Sequence, residues 1–140
     1  MPFGQTGDGT TTDHTAPVTV PGLTGIVSVA GGVGHSLALG GDGRVWSWGL
    51  GGTGQLGRPG VTQSLVPGVV PGLTGVTKVA AGAYHSLAVT SAGMSSWGWN
   101  GCGQLGDGTT VDRAAPVVAT GFTNAIATSA GLAHDLVAAP

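Results

Sequence analysis

One phrase recurs three times in this chain at a nearly fixed interval. It reads Ala30-Gly31-Gly32-Val33-Gly34-His35-Ser36-Leu37-Ala38-Leu39, then Ala80-Ala81-Gly82-Ala83-Tyr84-His85-Ser86-Leu87-Ala88-Val89. A weaker copy is Ser129-Ala130-Gly131-Leu132-Ala133-His134-Asp135-Leu136-Val137. The histidines stand 50 and 49 residues apart. A period of this length is the mark of a repeat architecture, in which each unit buries its apolar faces only against its neighbours. It also constrains function, because a residue that returns once per unit serves each unit rather than a single reaction.

Other landmarks keep the same phase. Gly4-Gln5-Thr6-Gly7 matches Gly54-Gln55-Leu56-Gly57 and Gly103-Gln104-Leu105-Gly106, and Pro17, Pro67 and Pro116 follow at a constant offset. Trp48-Gly49 pairs with Trp97-Gly98. Counted this way the repeats run over about 4–53, 54–102 and 103–140, the last without a Trp-Gly strand, in a single partial domain. At about 50 residues per unit the chain holds about 2.8 units.

Glycine supplies 29 of the 140 residues, and only 7% are charged, against roughly 25% in an average globular chain. Apolar residues make up 41% and are in phase, which favours a packed fold over a disordered one. The four cations Arg44, Arg58, Lys78 and Arg113 are scattered. They cannot form the clustered basic patch that phosphate neutralisation requires, so nucleic acid is not an expected partner. Cys102 is the only cysteine, which rules out a disulfide within one chain. No apolar run reaches the roughly 18 residues of a membrane span, and nothing at Met1-Pro2-Phe3-Gly4 reads as a secretion signal. The compartment stays open, extracellular or cytoplasmic.

One period carries four β-prone runs and no helical spacing. Val18–Val20 follows Pro17. Ile26–Ala30 alternates apolar and small residues, His35–Leu39 does the same after a glycine turn, and Arg44–Trp48 follows an Asp42-Gly43 hairpin step. Extended over the chain, the pattern predicts eleven strands near 17–20, 26–30, 35–39, 44–48, 66–70, 76–80, 85–89, 94–97, 116–119, 125–128 and 134–138. The run at 94–97 is one residue short relative to its repeat mate, so a weakened or reset strand is expected there. A four-stranded sheet with few large side chains must stack on others. Radial stacking of such sheets is a β-propeller, which typically needs 4–8 blades. The expectation is therefore an all-β chain of propeller blades that does not close a ring by itself.

The repeat phase also settles how the candidate residues are read. His35, His85 and His134, with Leu37, Leu87, Trp48 and Trp97, are expected to form the structural core of the units. A Ser-His-Asp reading of His35-Ser36 fails because neighbours on a strand point to opposite faces. Convergent histidines could hold a metal, but they recur because the repeat does, and no metal or cofactor is expected. Asp8-Gly9-Thr10 and Asp107-Gly108-Thr109 have the chemistry of turns and lack the oxygen density that calcium requires. Trp99 is the exception to the phase, since its counterpart is Leu50. Trp99 and Leu50 are the candidates for an interface.

The string Val-Ala-Gly-Gly-x-x-His-Ser-Leu-Ala-Leu-x-x-Asp-Gly-x-Val-Trp-x-Trp-Gly, followed by Gly-Gln-Leu-Gly and Pro-Val, resembles the regulator of chromosome condensation repeat from Gly4 to Val137. The resemblance implies a β-propeller, most often seven-bladed, used as a binding platform. Related propellers act as guanine-nucleotide exchange factors, ultraviolet photoreceptors, secreted inhibitors of β-lactamases and interaction modules. With no nucleophile, base and oxyanion donor placed together, the expectation is a non-enzymatic module for protein–protein interaction or self-assembly. Its partner would be a second copy, in a homodimer closing a six-bladed ring, or another protein. A longer propeller chain, an exchange factor for a small GTPase and a secreted inhibitor of an extracellular enzyme are the alternatives.

Overall fold

The computed structural model describes residues 4, 7–10, 20, 22–90, 93–101, 105, 107–118, 127–130 and 135–138. Among them are ten strands and no helix: β1 Ile26–Gly31, β2 His35–Gly40, β3 Val45–Leu50, β4 Gln63–Val69, β5 Lys78–Ala81, β6 His85–Thr90, β7 Gly93–Gly98, β8 Arg113–Val118, β9 Ala127–Ala130 and β10 Asp135–Ala138. They form two four-stranded antiparallel sheets in the order β1-β2-β3-β4 and β5-β6-β7-β8, and a two-stranded pair of β9 and β10. The eleventh expected strand falls on residues 17–19, outside the described residues, and Val20 belongs to no strand.

Two features differ from the sequence reading. The strand that completes each sheet comes after the Gly-Gln-x-Gly loop, not before the His strand. β4 pairs with β3 through Trp46 with Val69 and Ser47 with Gly68. A tandem repeat has no intrinsic start, and hydrogen bonding sets the phase. β4 and β8 also begin before their prolines, at Gln63 and Arg113. Pro67 and Pro116 are tolerated because β4 and β8 are the outer strands of their sheets. Each proline also falls where the ladder shifts register, so the missing N–H breaks no regular pair.

The strand expected to be weakened or reset, β7, is a full six residues and pairs with β6 from His85–Gly98 to Thr90–Gly93. In the first sheet the last such pair is Leu39 with Val45. The missing residue leaves the strand intact.

Strand alternation gives each sheet two chemically distinct faces. On the first sheet, His35, Leu37 and Leu39 share one face with Val45 and Ser47, while Ser36 and Ala38 share the other with Trp46, Trp48 and Val29. The second sheet repeats this, placing Ser86, Ala88, Trp97 and Val79 together. The large face of the first sheet packs on the small face of the second. Leu37, Leu39 and Val45 join Ala88 and Trp97, with Val70, Leu73 and Val76 of the connecting segment, in one core, and Val79 and Ala81 flank it. Bulky leucines opposite serine and alanine let the two sheets approach closely, and Trp97 fills the remaining depth. The other face of the second sheet buries Ala80, Leu87 and Met94, and β9 lies against β5 and β6 on the backbone level.

Candidate functional site

The seam between the two sheets is closed by a chain of hydrogen bonds. His35 Nε2 lies 3.0 Å from Ser86 Oγ. Ser86 donates its hydroxyl to the Gln55 carbonyl at 2.8 Å, and the Trp97 indole N–H donates to the same carbonyl at 2.9 Å. A serine has one proton to give, and Ser86 gives it to Gln55. His35 must therefore donate from Nε2, which fixes its tautomer and leaves Nδ1 as a buried acceptor without a partner. Burial pushes the His35 pKa down to about 4. His35 is 1% exposed and Ser86 0%. No substrate reaches the pair, and its hydroxyl proton is committed. It is a clamp between sheets.

The Gly54–Gly57 loop reaches across because glycine lets it. Gly57 has φ +67°, and a Cβ there would stand 2.8 Å from the Trp97 indole nitrogen. Gly7 takes the same position over Trp48, at 2.7 Å. The phased tryptophans are thus each roofed by a glycine, Gly7 over Trp48 and Gly57 over Trp97, and both are buried. Gln55 is fully buried, and its side-chain oxygen accepts from Thr53 N–H and from the Thr53 hydroxyl. Leu37, Leu87 and His85 are also buried. His134 lies outside the described residues.

A second polar network organises the loop after β7. Asn100, 0% exposed, donates its side-chain amide to Asp107, to the Thr109 carbonyl and hydroxyl, and to the Val111 carbonyl. Its own oxygen accepts from Leu105 N–H at 3.0 Å, and its backbone N–H donates to Asp112 at 2.8 Å. Asp107 caps a turn through Thr109 N–H at 2.9 Å and pairs with Arg113 at 2.9 Å. Desolvation opposes ionisation of Asp107, but the bonds from Thr109, Arg113 and Asn100 outweigh it and hold its pKa at about 2. Asp8 makes the same turn with Thr10. These loops are therefore Asx turns.

Two exposed clusters lie at opposite ends of the sheets. At the β2–β3 hairpin, Arg44 stacks 5.5 Å from the Trp46 ring centroid and pairs with Asp42 at 2.9 Å. These residues, with Thr24, Gly25, Gly40 and Gly41, line a cleft of about 260 Å³. At the other end Trp99 is half-buried and meets Tyr84 edge-on, with ring centroids 6.4 Å apart. Leu50 is half-buried at the equivalent place in the first sheet. Among the described residues no group of three or more histidine, cysteine or acidic side chains could hold a metal, and no helix is long and apolar enough to cross a membrane. Cys102 lies outside the described residues.

Sequence reasoning did not find Ser86, Gln55 or Asn100 as structural polar groups. The recurrence of Ser36 and Ser86 beside each histidine, and of glutamine in each loop, was a signal. It could not say that the serine of one unit serves the histidine of the unit before it. Asn100 has Gly51 as its counterpart and left no repeat signal at all. Tyr84 likewise replaces Gly34.

Four-stranded antiparallel sheets stacked face to face, with a repeat-phased clamp between them, define β-propeller blades whose ring is incomplete in this chain. The Regulator of chromosome condensation (RCC1) repeat matches residues 42–89 and 96–138, and a second profile of the same repeat matches 26–55 and 76–104. The chain belongs to this repeat family. It is 44% identical over 62 residues to the E3 ubiquitin-protein ligase HERC2 of Homo sapiens, and equally to that of Mus musculus, covering 41% of this chain and 1% of the relative. Human WBSCR16 superposes with a TM-score of 0.84 at 27% identity, over 99% of this chain and 38% of that one. Prp20p of Saccharomyces cerevisiae, described with its binding to Gsp1p and histones, gives 0.83 at 26% identity over 93% and 36%. The chain thus spans less than two fifths of the solved propellers it resembles and a small fraction of HERC2.

Proposed function

We propose that residues 1–140 form a non-enzymatic propeller module for protein–protein interaction, and that a second copy completes the ring. One observation carries the reading. Val29 is 71% exposed, although Val79, its counterpart on the second sheet, packs against the inter-sheet core. The small face of the first sheet is built like the face that the second sheet buries, and along β1 it is exposed. Val27 beside it is exposed as well. Exposed apolar strips of this kind mark interaction surfaces, and the packing of β2 on the second sheet supports a His-Leu-Leu face as the complementary surface. In a closed two-fold assembly the last unit of a second copy, whose sequence carries His134 and Leu136 in the same repeat phase, would meet this strip.

Native mass spectrometry at micromolar concentration tests this. A dimer is expected, and Val29→Lys should shift it to monomer. A parental chain that stays monomeric and soluble, with no strip covered, defeats the self-assembly reading. The likeness to Prp20p, described as binding Gsp1p and histones, supports a protein partner and a second reading as an exchange-factor-like regulator. Accelerated nucleotide release from a small GTPase would establish that second reading, and unchanged release would remove it.

A further inference from the structure

We propose that Tyr84, Trp99 and Asp112 form a receptor for a lysine or arginine side chain of a partner protein. The inference rests on the reading of the chain as an interaction module and names the partner chemistry.

The aromatic pair is not required by the fold. The loop backbone is held the same way in both sheets: Leu50 N–H donates to the Gly34 carbonyl at 2.7 Å, and Trp99 N–H donates to the Tyr84 carbonyl at 2.9 Å. The first sheet achieves this with glycine and leucine, the second with tyrosine and tryptophan. Both aromatic residues therefore arise at facing positions of one repeat, and both sit at the loop end rather than in the inter-sheet core. Their orientation is set in advance. The rings meet at 90°, and the indole lies against Gly101, where a Cβ would stand 2.7 Å from its nitrogen. Tyr84 remains 36% exposed.

The electrostatics supply the rest. The backbone N–H of Asn100, next in sequence to Trp99, anchors one Asp112 oxygen at 2.8 Å. Asp112 is exposed, and among the described residues no cation pairs with it. Asp107, the other carboxylate of this loop, is already paired with Arg113. An oriented indole and phenol, with an unpaired carboxylate anchored on the backbone next to the tryptophan, form a site that lacks a cation. The chain shows the completed arrangement elsewhere. In the β2–β3 hairpin, Arg44 lies over Trp46 and binds Asp42. At the loop end the tryptophan and the aspartate are present, and the cation must come from outside. Cation–π attraction and a carboxylate both select Lys or Arg over neutral or acidic side chains.

The test is fluorescence anisotropy of labelled octalysine, octaarginine and octaglutamate peptides with the full chain. Octalysine and octaarginine should bind and octaglutamate should not, with affinity falling as salt rises. Trp99→Leu, which installs the first sheet's own residue, should weaken binding roughly 5–30-fold. Tyr84→Ala and Asp112→Asn should each weaken it several-fold, while Asp42→Asn leaves it unchanged. Circular dichroism confirms that Trp99→Leu keeps the fold. Equal binding by the parental chain and Trp99→Leu overturns the proposal, as does failure of the parental chain to bind either basic peptide. Native mass is measured on the same samples. A dimer that binds no basic peptide refutes this site and leaves the module reading standing. A monomer whose binding is lost in Trp99→Leu supports this site and refutes only self-assembly.

Discussion

The Gln55 carbonyl receives two donors from the neighbouring sheet, Ser86 Oγ–H and Trp97 Nε1–H, and this convergence has a measurable consequence. Ser86→Ala leaves the carbonyl one donor but strips the buried His35 Nε2–H of its acceptor. A buried donor left unsatisfied costs about 1–3 kcal/mol. Trp97→Phe removes the other donor, about 0.5–1.5 kcal/mol of hydrogen bonding, plus the loss from the smaller ring. The double variant leaves the fully buried Gln55 carbonyl with neither donor, a penalty absent from both single variants. The ring-size loss occurs in both backgrounds and cancels in the cycle. The double variant should therefore be less stable than the sum of the singles by about 0.5–3 kcal/mol. Urea unfolding followed by far-ultraviolet circular dichroism measures this from shifts in midpoint at constant slope. Additivity within about 0.5 kcal/mol would mean that the two bonds do not share an acceptor, and the clamp as described would be wrong.

Further outcomes follow from the same geometry. His35 is neutral in the folded chain with a pKa near 4, against 6.5 unfolded. Below pH 6.5 the unfolded state binds the extra proton, so stability should be full above that pH and fall as pH drops toward 4; His35→Gln should flatten the pH profile in this window. Asp107 behaves in the sense of a depressed carboxyl, with a pKa of about 2. Its contribution is present above pH 3.8 and lost between there and about 2, and Asp107→Asn should remove that dependence. Gly57→Ala should destabilise by more than about 2 kcal/mol, since it adds backbone strain and a clash with Trp97. Gly60→Ala, at φ +83° with open space around it, should cost only about 1–2 kcal/mol of strain, and thermal melts of the two distinguish clash from strain. Asn100→Asp places a second carboxylate against Asp107 and removes both amide N–H donors that serve Asp107, Thr109 and Val111. Limited proteolysis should cut its 99–112 loop much faster than that of the parent.

The strand content was legible because each strand's pattern is local. His35–Leu39 and His85–Val89 alternate large and small side chains over a few residues, and the glycine turns between them set the lengths. The sheet phase was not legible, because the Trp46–Val69 pair joins strands across a long loop and a repeating sequence has no marked origin. The prolines misled in the same way: Pro67 marks a strand start only if the strand needs its N–H, and an outer strand does not.

Sequence periodicity alone determined that the chain is all-β and that its units must stack, and it pointed to His35 and Trp97 as core residues, which are buried. Only the tertiary structure decided which side chains meet. Ser86 serves His35 from 51 residues away, and Gln55 does its work through a backbone carbonyl whose chemistry is the same in every residue. Asn100 and Tyr84 break the repeat, so no second copy flagged them, while Asp112 has a counterpart in Asp13. Periodicity reports what every unit needs, and a site built once, from positions where one unit departs from the others, becomes visible only when folding brings those positions together.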